Sequence, residues 1–413
     1  MQPSIGWACL QWPPLLTLTS NEESPTLYGQ VYARGLTDTH RTAAAPGLRV
    51  EIGYGPYDDD PRSPQNLWLW SDQTSYHKNA GLGQNNQEYQ ATLRLAAPGL
   101  YRYTFRYAVE GGPWVYGERA DALHKASIQG HTPEAFGSLA VIQKGATLRA
   151  ASLNLHGLID QPERRFAAIA RGFRSEQVDL IALQEVCLSP EGFHSAQKIV
   201  EGLNSFPGPR YTALFVPTHT AGSPPNAIPE GIGLISRYPI LDAIAFDLPP
   251  DQPPPKATFP RKALWSRILT PLGVLAFAST HLDYRPDNEA WRVRQVGALK
   301  TLLSSPDHPA FATLLGGDFN ATPSSQTYLA MTHAQGDDEK GRPAILDLLA
   351  PFDAGPTFPS PHPVDRIDYL FFQAKEPAAS RLKATQGKRL FAKPSEGLYL
   401  SDHVGILVEL QVA

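Results

Sequence analysis

The stretch Leu315-Gly316-Gly317-Asp318-Phe319-Asn320-Ala321-Thr322-Pro323 decides the reading of this chain. It follows the apolar run Phe311 to Leu315, which predicts a buried strand. Two glycines then permit a sharp turn. Asp318 and Asn320 lie two apart, so in an extended segment both side chains point to the same side. A carboxylate and a carboxamide at the mouth of a strand can hold a water or a phosphate oxygen between them. Gly, Asp and Asn also form ordinary turns, so the stretch takes its meaning from polar residues at other strand ends.

Those are found on either side of it. From Thr147 the pattern is strand, helix, strand. Leu148 to Leu155 predicts a strand ending near Asn154, and Val178 to Leu183 a second one with Gln184-Glu185 at its end. Between them, Asp160-Gln-Pro-Glu163 predicts a capped helix start with Asp160 as the cap. A helix is expected over roughly 189–204. Ala263–Leu269 and Val274–Thr280 predict a hairpin whose second strand delivers His281, followed by a helix over Asp287–Leu303. A short helix near Ser324–Thr332 and a polar loop over 336–342 come next. Arg366–Phe372 is a strand carrying Asp368, and Ser401-Asp402-His403 leads into Val404–Val412. The proline-dense stretches 217–229 and 249–260 predict loops at a substrate cleft or across the surface.

Upstream the period changes. Tyr101, Tyr103, Phe105 and Tyr107 share one face of a strand, with Arg102, Thr104 and Arg106 on the other. Six or seven short strands over 24–143 predict a β-sandwich, immunoglobulin-like or carbohydrate-binding-like, after an irregular lead-in over 1–23. Trp68, Trp70, Tyr76 and Trp114 fill its core or line a glycan or surface contact.

Composition bounds the rest. At 413 residues the chain is too long for one ordinary core. A net charge of −4 argues against a broad basic surface for nucleic acid, though not against local grip by a metal and a few cations. Lys256, Arg261, Lys262, Arg292 and Arg294 are candidates for such cations. Cys9 and Cys187 fall in different predicted domains, so no disulfide framework is expected. The apolar run Ile5 to Leu10 has no basic residue before it and is interrupted by Pro13 and Pro14, a poor signal peptide. A soluble protein, cytoplasmic or exported, is expected, because no stretch is long and apolar enough to span a bilayer.

Asn154, Glu185, His281, Asp318, Asn320, Asp368, Asp402 and His403 thus close or open apolar strands. Burying such groups without partners costs a few kcal/mol apiece, roughly. They are expected to satisfy one another or a ligand. Oxygen donors without a thiolate tetrad or a His-x-x-x-His pair suit Mg²⁺ or Mn²⁺ rather than zinc.

The ordered pieces Asn154-Leu-His-Gly157, Gln184-Glu-Val186, Gly231 to Pro239, Thr280-His-Leu282, Gly317-Asp-Phe-Asn320, Arg366-Ile-Asp-Tyr369 and Ser401-Asp-His403 resemble the motifs of the endonuclease/exonuclease/phosphatase superfamily. The resemblance covers about 146–413. It implies a four-layer α/β/β/α sandwich with the site on one edge of two packed sheets. It also implies roles: Glu185 binds the divalent metal, and Asn154 and Asp402 complete the metal and water shell. Asp318 would orient or deprotonate the attacking water, and Asn320 would hold a phosphate oxygen. Asp368 would buttress His403, and His403 and His281 would grip the phosphate. Asp365 is an alternative partner for His403, whereas Arg237 is left out as structural. His156, His194, His219, His308 and His362 are expected to be exposed, and Cys187 to be buried filler.

The function expected first is a metal-dependent endonuclease. The alternatives are a sphingomyelinase-like lipid phosphodiesterase, a phosphatase of small esters, and a non-catalytic binding protein on the same fold. A lipid enzyme should present an aromatic loop to the membrane, for which Phe259 and Trp265 are the candidates.

Overall fold

A computed structural model describes all residues except 1–3, 41, 78–84, 121–134, 190–191, 193, 223–226, 250–254, 256–257 and 334–343. Lys256 and the polar loop expected at 336–342 therefore lie outside the described residues. The chain forms two compact units, the first drawn mostly from 1–143 and the second mostly from 144–413.

The first unit contains β1 (Ile5–Trp12), β2 (Leu15–Thr19), β3 (Leu27–Ala33), β4 (Leu48–Pro56), β5 (Leu69–Ser71), β6 (Ser75–His77), β7 (Gln87–Ala91), β8 (Gly99–Val109), β9 (Val115–Tyr116), β10 (Glu118–Arg119) and β11 (Gly137–Ile142). One sheet runs β10-β1-β3-β7-β6 and the other β2-β11-β8-β4-β5, with β9 on β8. Leu10, Val31 and Tyr89 from the first sheet meet Ile52, Phe105, Tyr107 and Leu139 from the second in one core. The alternation along Tyr101–Tyr107 is what places those rings inward.

The lead-in expected over 1–23 is corrected by β1 and β2. Pro13 and Pro14 do not end an irregular run; they mark the corner where the chain leaves one sheet for the other. Of the aromatics, Trp68 is buried and Tyr76 packs on the core. Arg106 lies over the rings of Trp70 and Trp114 at 4.0 and 4.2 Å, an arrangement of cation–π pairs.

The second unit contains β12 (Thr147–Asn154), α1 (Pro162–Ser175), β13 (Leu180–Cys187), α2 (Ser195–Asn204), β14 (Thr212–Ala221), β15 (Ile228–Ser236), β16 (Ile240–Leu248), β17 (Arg261–Thr270), β18 (Gly273–His281), α3 (Glu289–Ser304), β19 (Ala312–Asp318), α4 (Gln326–Thr332), β20 (Leu346–Asp347), β21 (Asp368–Ala374), β22 (Leu382–Leu390) and β23 (Gly405–Val412). Two six-stranded sheets form, β14-β15-β13-β12-β23-β22 and β16-β17-β18-β19-β21-β20. Phe166, Ile169 and Phe173 of α1 and Ile199 and Leu203 of α2 pack on the first sheet through Leu153, Ile181 and Leu183. Val296, Leu299 and Leu303 of α3 and Met331 of α4 pack on the second through Ala276, Leu315 and Phe371. Helices on both outer sides of two stacked sheets make the four-layer α/β/β/α sandwich.

The glycines of the opening stretch do something other than turn. Gly316 and Gly317 lie inside β19. A Cβ on Gly316 would stand 2.6 Å from the Ala182 Cβ of the facing sheet, so glycine permits the close approach of the two sheets. Polar links cross the same gap: the Gln184 amide donates to Ser279 Oγ at 3.2 Å, and that hydroxyl donates to the Leu183 carbonyl at 3.0 Å. Elsewhere, α1 is capped by Gln161 instead of Asp160, with no side-chain cap bond. α2 begins only at Ser195, where the His194 ring accepts from the Gln197 amide. The expected 217–229 loop is shortened by β14 and β15; Pro217 is tolerated because β14 is an edge strand. Among the described residues no helix is long and apolar enough to cross a membrane.

Candidate active site

Sheet register brings the polar strand ends together. His281, the last residue of β18, lies opposite Asp318, the last of β19, and Asp318 lies opposite Asp368, the first of β21. From the other sheet, Asn154 ends β12. Glu185 sits where β13 slips register against β15 between Leu183 and Val186, with φ at 51°. A bulge with left-handed backbone re-aims one side chain at a local energetic cost, a pattern concentrated at functional sites. Asn320 also has positive φ, at 48°, and its amide donates to Asp318 Oδ1 at 2.9 Å. The Asp318–Asn320 segment is thus an Asx-type turn rather than extended chain.

Side chains then meet at one point. The Asn154 amide donates to Glu185 Oε1 at 3.0 Å and to Asp318 Oδ2 at 3.1 Å. Its carbonyl oxygen accepts the His156 backbone amide at 3.0 Å. Asp318 Oδ2 lies 3.4 Å from His281 Nε2 and 3.7 Å from His403 Nε2. Asn320 Nδ2 lies 3.2 Å from His281 Nε2. His403 Nδ1 bonds Asp368 Oδ2 at 2.9 Å, so Asp368, not Asp365, is the partner. Ser401 Oγ ties the last loop down, donating to the Asn154 carbonyl at 2.7 Å and accepting from the His403 amide at 3.0 Å. Asp402 is part-exposed, 3.6 Å from His156 Nε2. All eight candidates are therefore in one place.

Electrostatics divides their roles. Burial opposes charge on His403, but Asp368 and Asp318 outweigh it and hold the imidazole protonated, up to about 10. His281 is pushed the other way, well below the ordinary histidine range, by burial and then by Arg261, His403 and His219. One imidazolium and one neutral imidazole thus flank Asp318. Asp318 itself is raised to about 6, by burial first, against the pull of His403. A carboxylate near neutrality is a better proton acceptor than an ordinary one.

The residues fit a hard divalent cation. Glu185 is raised to about 7 by burial and then by the neighbouring Glu230 carboxylate, and among the described residues no Lys or Arg salt-bridges it. Two part-buried carboxylates that repel each other next to an amide are an oxygen donor set waiting for positive charge. Asp318, Asp368 and His403 also bring potential ligand atoms within 4.8 Å of one another. That trio reads instead as an imidazolium bonded to Asp368 and facing Asp318, since a protonated imidazole has no lone pair to offer.

Two contributors were missed or misread. Glu230 precedes the Gly231 motif, and an isolated Glu in a strand carries no signal until Glu185 is seen beside it. The His219 side chain is largely covered, not exposed: its Nε2 lies 3.3 Å from Glu230, and its ring stacks on Phe259 at 4.2 Å. Arg261 and Arg292 are 4% and 5% exposed, whereas Lys262 pairs with Asp247 near the surface. Arg237 salt-bridges Asp179 at 2.7 Å, a structural role. Cys187 is buried, its thiol raised far above its ordinary range by burial.

The endonuclease/exonuclease/phosphatase family profile matches residues 151–403. An endonuclease/exonuclease/phosphatase family protein from Leptotrichia buccalis C-1013-b is 20% identical, with a TM-score of 0.51 and coverage of 64% of this chain and 99% of that one. A mannosyl-6-phosphatase from Bacteroides thetaiotaomicron VPI-5482 is 20% identical, with the same coverages and a TM-score of 0.46. TDP2 of D. rerio, complexed with a single-strand DNA product, is 16% identical over the same shares, with a TM-score of 0.47. At such identities the likeness is one of fold. No curated protein matches by sequence.

Proposed function

Because this chain belongs to the endonuclease/exonuclease/phosphatase family, we propose that it is a divalent-metal-dependent phosphodiester hydrolase, and specifically an endonuclease. The observation that carries the reading is the convergence of Asn154, Glu185, Asp318 and His403 where strand ends of the two sheets meet, with Asn154 bonded to both carboxylates and His403 Nε2 3.7 Å from Asp318.

In this reading Glu185, with Asn154 and Asp402 completing its shell, would hold Mg²⁺ or Mn²⁺, and the Asn154 amide orients Glu185. The cation would supply Lewis-acid neutralisation of phosphate charge. Asp318 accepts a proton from the attacking water while Asn154 and the Asn320 backbone fix its carboxylate. The Asn320 amide and the neutral His281 donate to a non-bridging oxygen. Protonated His403, oriented by Asp368, faces the charge that develops on the phosphorane; one such preorganised donor is commonly worth roughly 3–4 kcal/mol. The P–O bond to the leaving group breaks as the water O–P bond forms.

Nucleic acid is favoured by the rim. Phe259, 38% exposed, stacks on His219, and half-exposed Tyr284 lies nearly parallel to Phe259 at 6.3 Å. A flat aromatic surface beside the phosphate site suits an unpaired base. The lipid alternative keeps Phe259 but loses Trp265, which is 1% exposed in the core. Glycan or surface binding by the first unit would use Trp7 and Trp12, which are exposed and lie directly opposite Tyr32 and Tyr28 on one sheet face.

The test is a panel of plasmid DNA, RNA, sphingomyelin, a sugar phosphate and bis-p-nitrophenyl phosphate with Mg²⁺, Mn²⁺ or EDTA. Cleavage of DNA that EDTA abolishes and Asp318→Ala removes is expected. Cleavage of lipid or sugar ester alone would replace the nuclease reading, and hydrolysis of none would end the hydrolase reading.

A further inference from the structure

Arg261 opens β17 at the sheet edge where β18 ends in His281. The Thr280 hydroxyl donates to the Lys262 carbonyl at 3.0 Å, which pins the two strand ends side by side. Arg261 is 4% exposed, and its Nε is buried with no hydrogen-bond partner. The carboxylates of Asp318, Asp283, Glu185 and Glu230 all act on it electrostatically. None of them salt-bridges or hydrogen-bonds it. Asp283 Oδ2 is likewise buried and unpartnered.

This is an unusual state for an arginine. A buried guanidinium is normally bonded through its planar fork, because an unpaired buried charge is strongly unfavourable. Arg267, on the same strand, shows the ordinary arrangement: it is buried and bonded to Asp242 through Nε at 2.8 Å. Arg261 instead keeps a charged donor unspent within the electrostatic reach of the proposed water-activating carboxylate. A phosphate moving into a cluster of carboxylates needs local positive charge, and Arg261 is placed to supply it.

Resting on the hydrolase reading above, we propose that Arg261 is a phosphate-binding residue of this site, its guanidinium bonding a non-bridging oxygen of the substrate and of the product phosphate. His281 and Asn320 then serve as neutral donors, and Arg261 as a charged one that anchors the ground state as well as the transition state.

The experiment titrates inorganic phosphate into the full-length wild-type protein, Arg261→Lys and Arg261→Met, each with Mg²⁺, by calorimetry and by the shift in melting temperature. Loss of a charge-assisted bond is expected to weaken phosphate binding roughly 10- to 100-fold in Arg261→Met. Arg261→Lys keeps the charge and loses the fork, so it should fall between the two. On whichever ester the panel identifies, KM should rise along with any fall in kcat. Should Arg261→Met fail to fold, the lysine variant alone still decides the matter. Phosphate bound as tightly by the variants as by wild type would overturn the proposal. So would a drop in melting temperature without phosphate while the phosphate-induced rise persists, since that marks a structural counter-ion. Phosphate binding is read without turnover, so failure of the hydrolase reading would show separately as an inactive wild type.

Discussion

Asp368→Asn removes one charge from the His403 relay while keeping the shape of the side chain. Asp368 is 1% exposed and accepts from His403 Nδ1 at 2.9 Å. With both carboxylates present, His403 is held protonated up to about 10 against an ordinary 6.5, despite burial. That difference corresponds to roughly 5 kcal/mol of preference for the charged form. Asp368 is the larger of the two carboxylate contributions, ahead of Asp318. Its loss should therefore move the alkaline limb down by at least about one pH unit, roughly 1.4 kcal/mol. The assay is the pH dependence of kcat on bis-p-nitrophenyl phosphate from pH 5 to 10.5 with saturating Mn²⁺. Wild type should hold its rate until His403 deprotonates near 10. The variant should begin to decline below about pH 9 and lose roughly 10²-fold once His403 is neutral, the scale of losing one preorganised donor. An alkaline limb that does not move, with a rate within about threefold of wild type, would refute the claim that Asp368 sets the charge of His403.

Gly316→Val puts a branched side chain where even a Cβ stands 2.6 Å from Ala182, so chemical denaturation should show a loss of about 1–3 kcal/mol; an unchanged midpoint would mean the sheets are not closely apposed there. Without metal, the raised carboxyls bind protons more tightly in the fold than in the unfolded chain. Stability should then fall as pH rises from about 4 to about 7, the window set by Asp318 and Glu185. The His403 contribution is complete below 6.5 and is lost as pH rises through about 10. Calorimetry in EDTA should thus show a higher melting temperature at pH 6 than at pH 8.5, with Mg²⁺ narrowing the gap; equal values in EDTA would contradict the assigned charges.

The two-unit architecture was legible because its signals are local. Alternation at Tyr101–Tyr107 and the apolar runs before Asp318 and His281 each report burial directly. That the eight candidates would come together was legible for a related reason: a polar group ending an apolar strand has few other uses. What the sequence hid is tertiary. Gly316 looks like a turn residue until the facing Ala182 is known. Glu230 and His219 gain significance only from each other and from Glu185, across strands that no local pattern pairs. Arg261 resembles any surface arginine, since nothing in Phe-Pro-Arg-Lys indicates which of two neighbouring cations is buried. β1 was missed because prolines at a corner between sheets resemble prolines in a coil.

The central claim is that Glu185 and its neighbours hold one hard cation at the point where the two sheets' strand ends meet. Mn²⁺ titrated into EDTA-stripped protein and followed by calorimetry tests it most directly. Wild type should bind Mn²⁺ at this site, and Glu185→Gln, which keeps the volume and removes the charge, should bind at least about 10-fold more weakly, the scale of altering a ligand's immediate partners. Equal affinity in the two proteins would contradict the account.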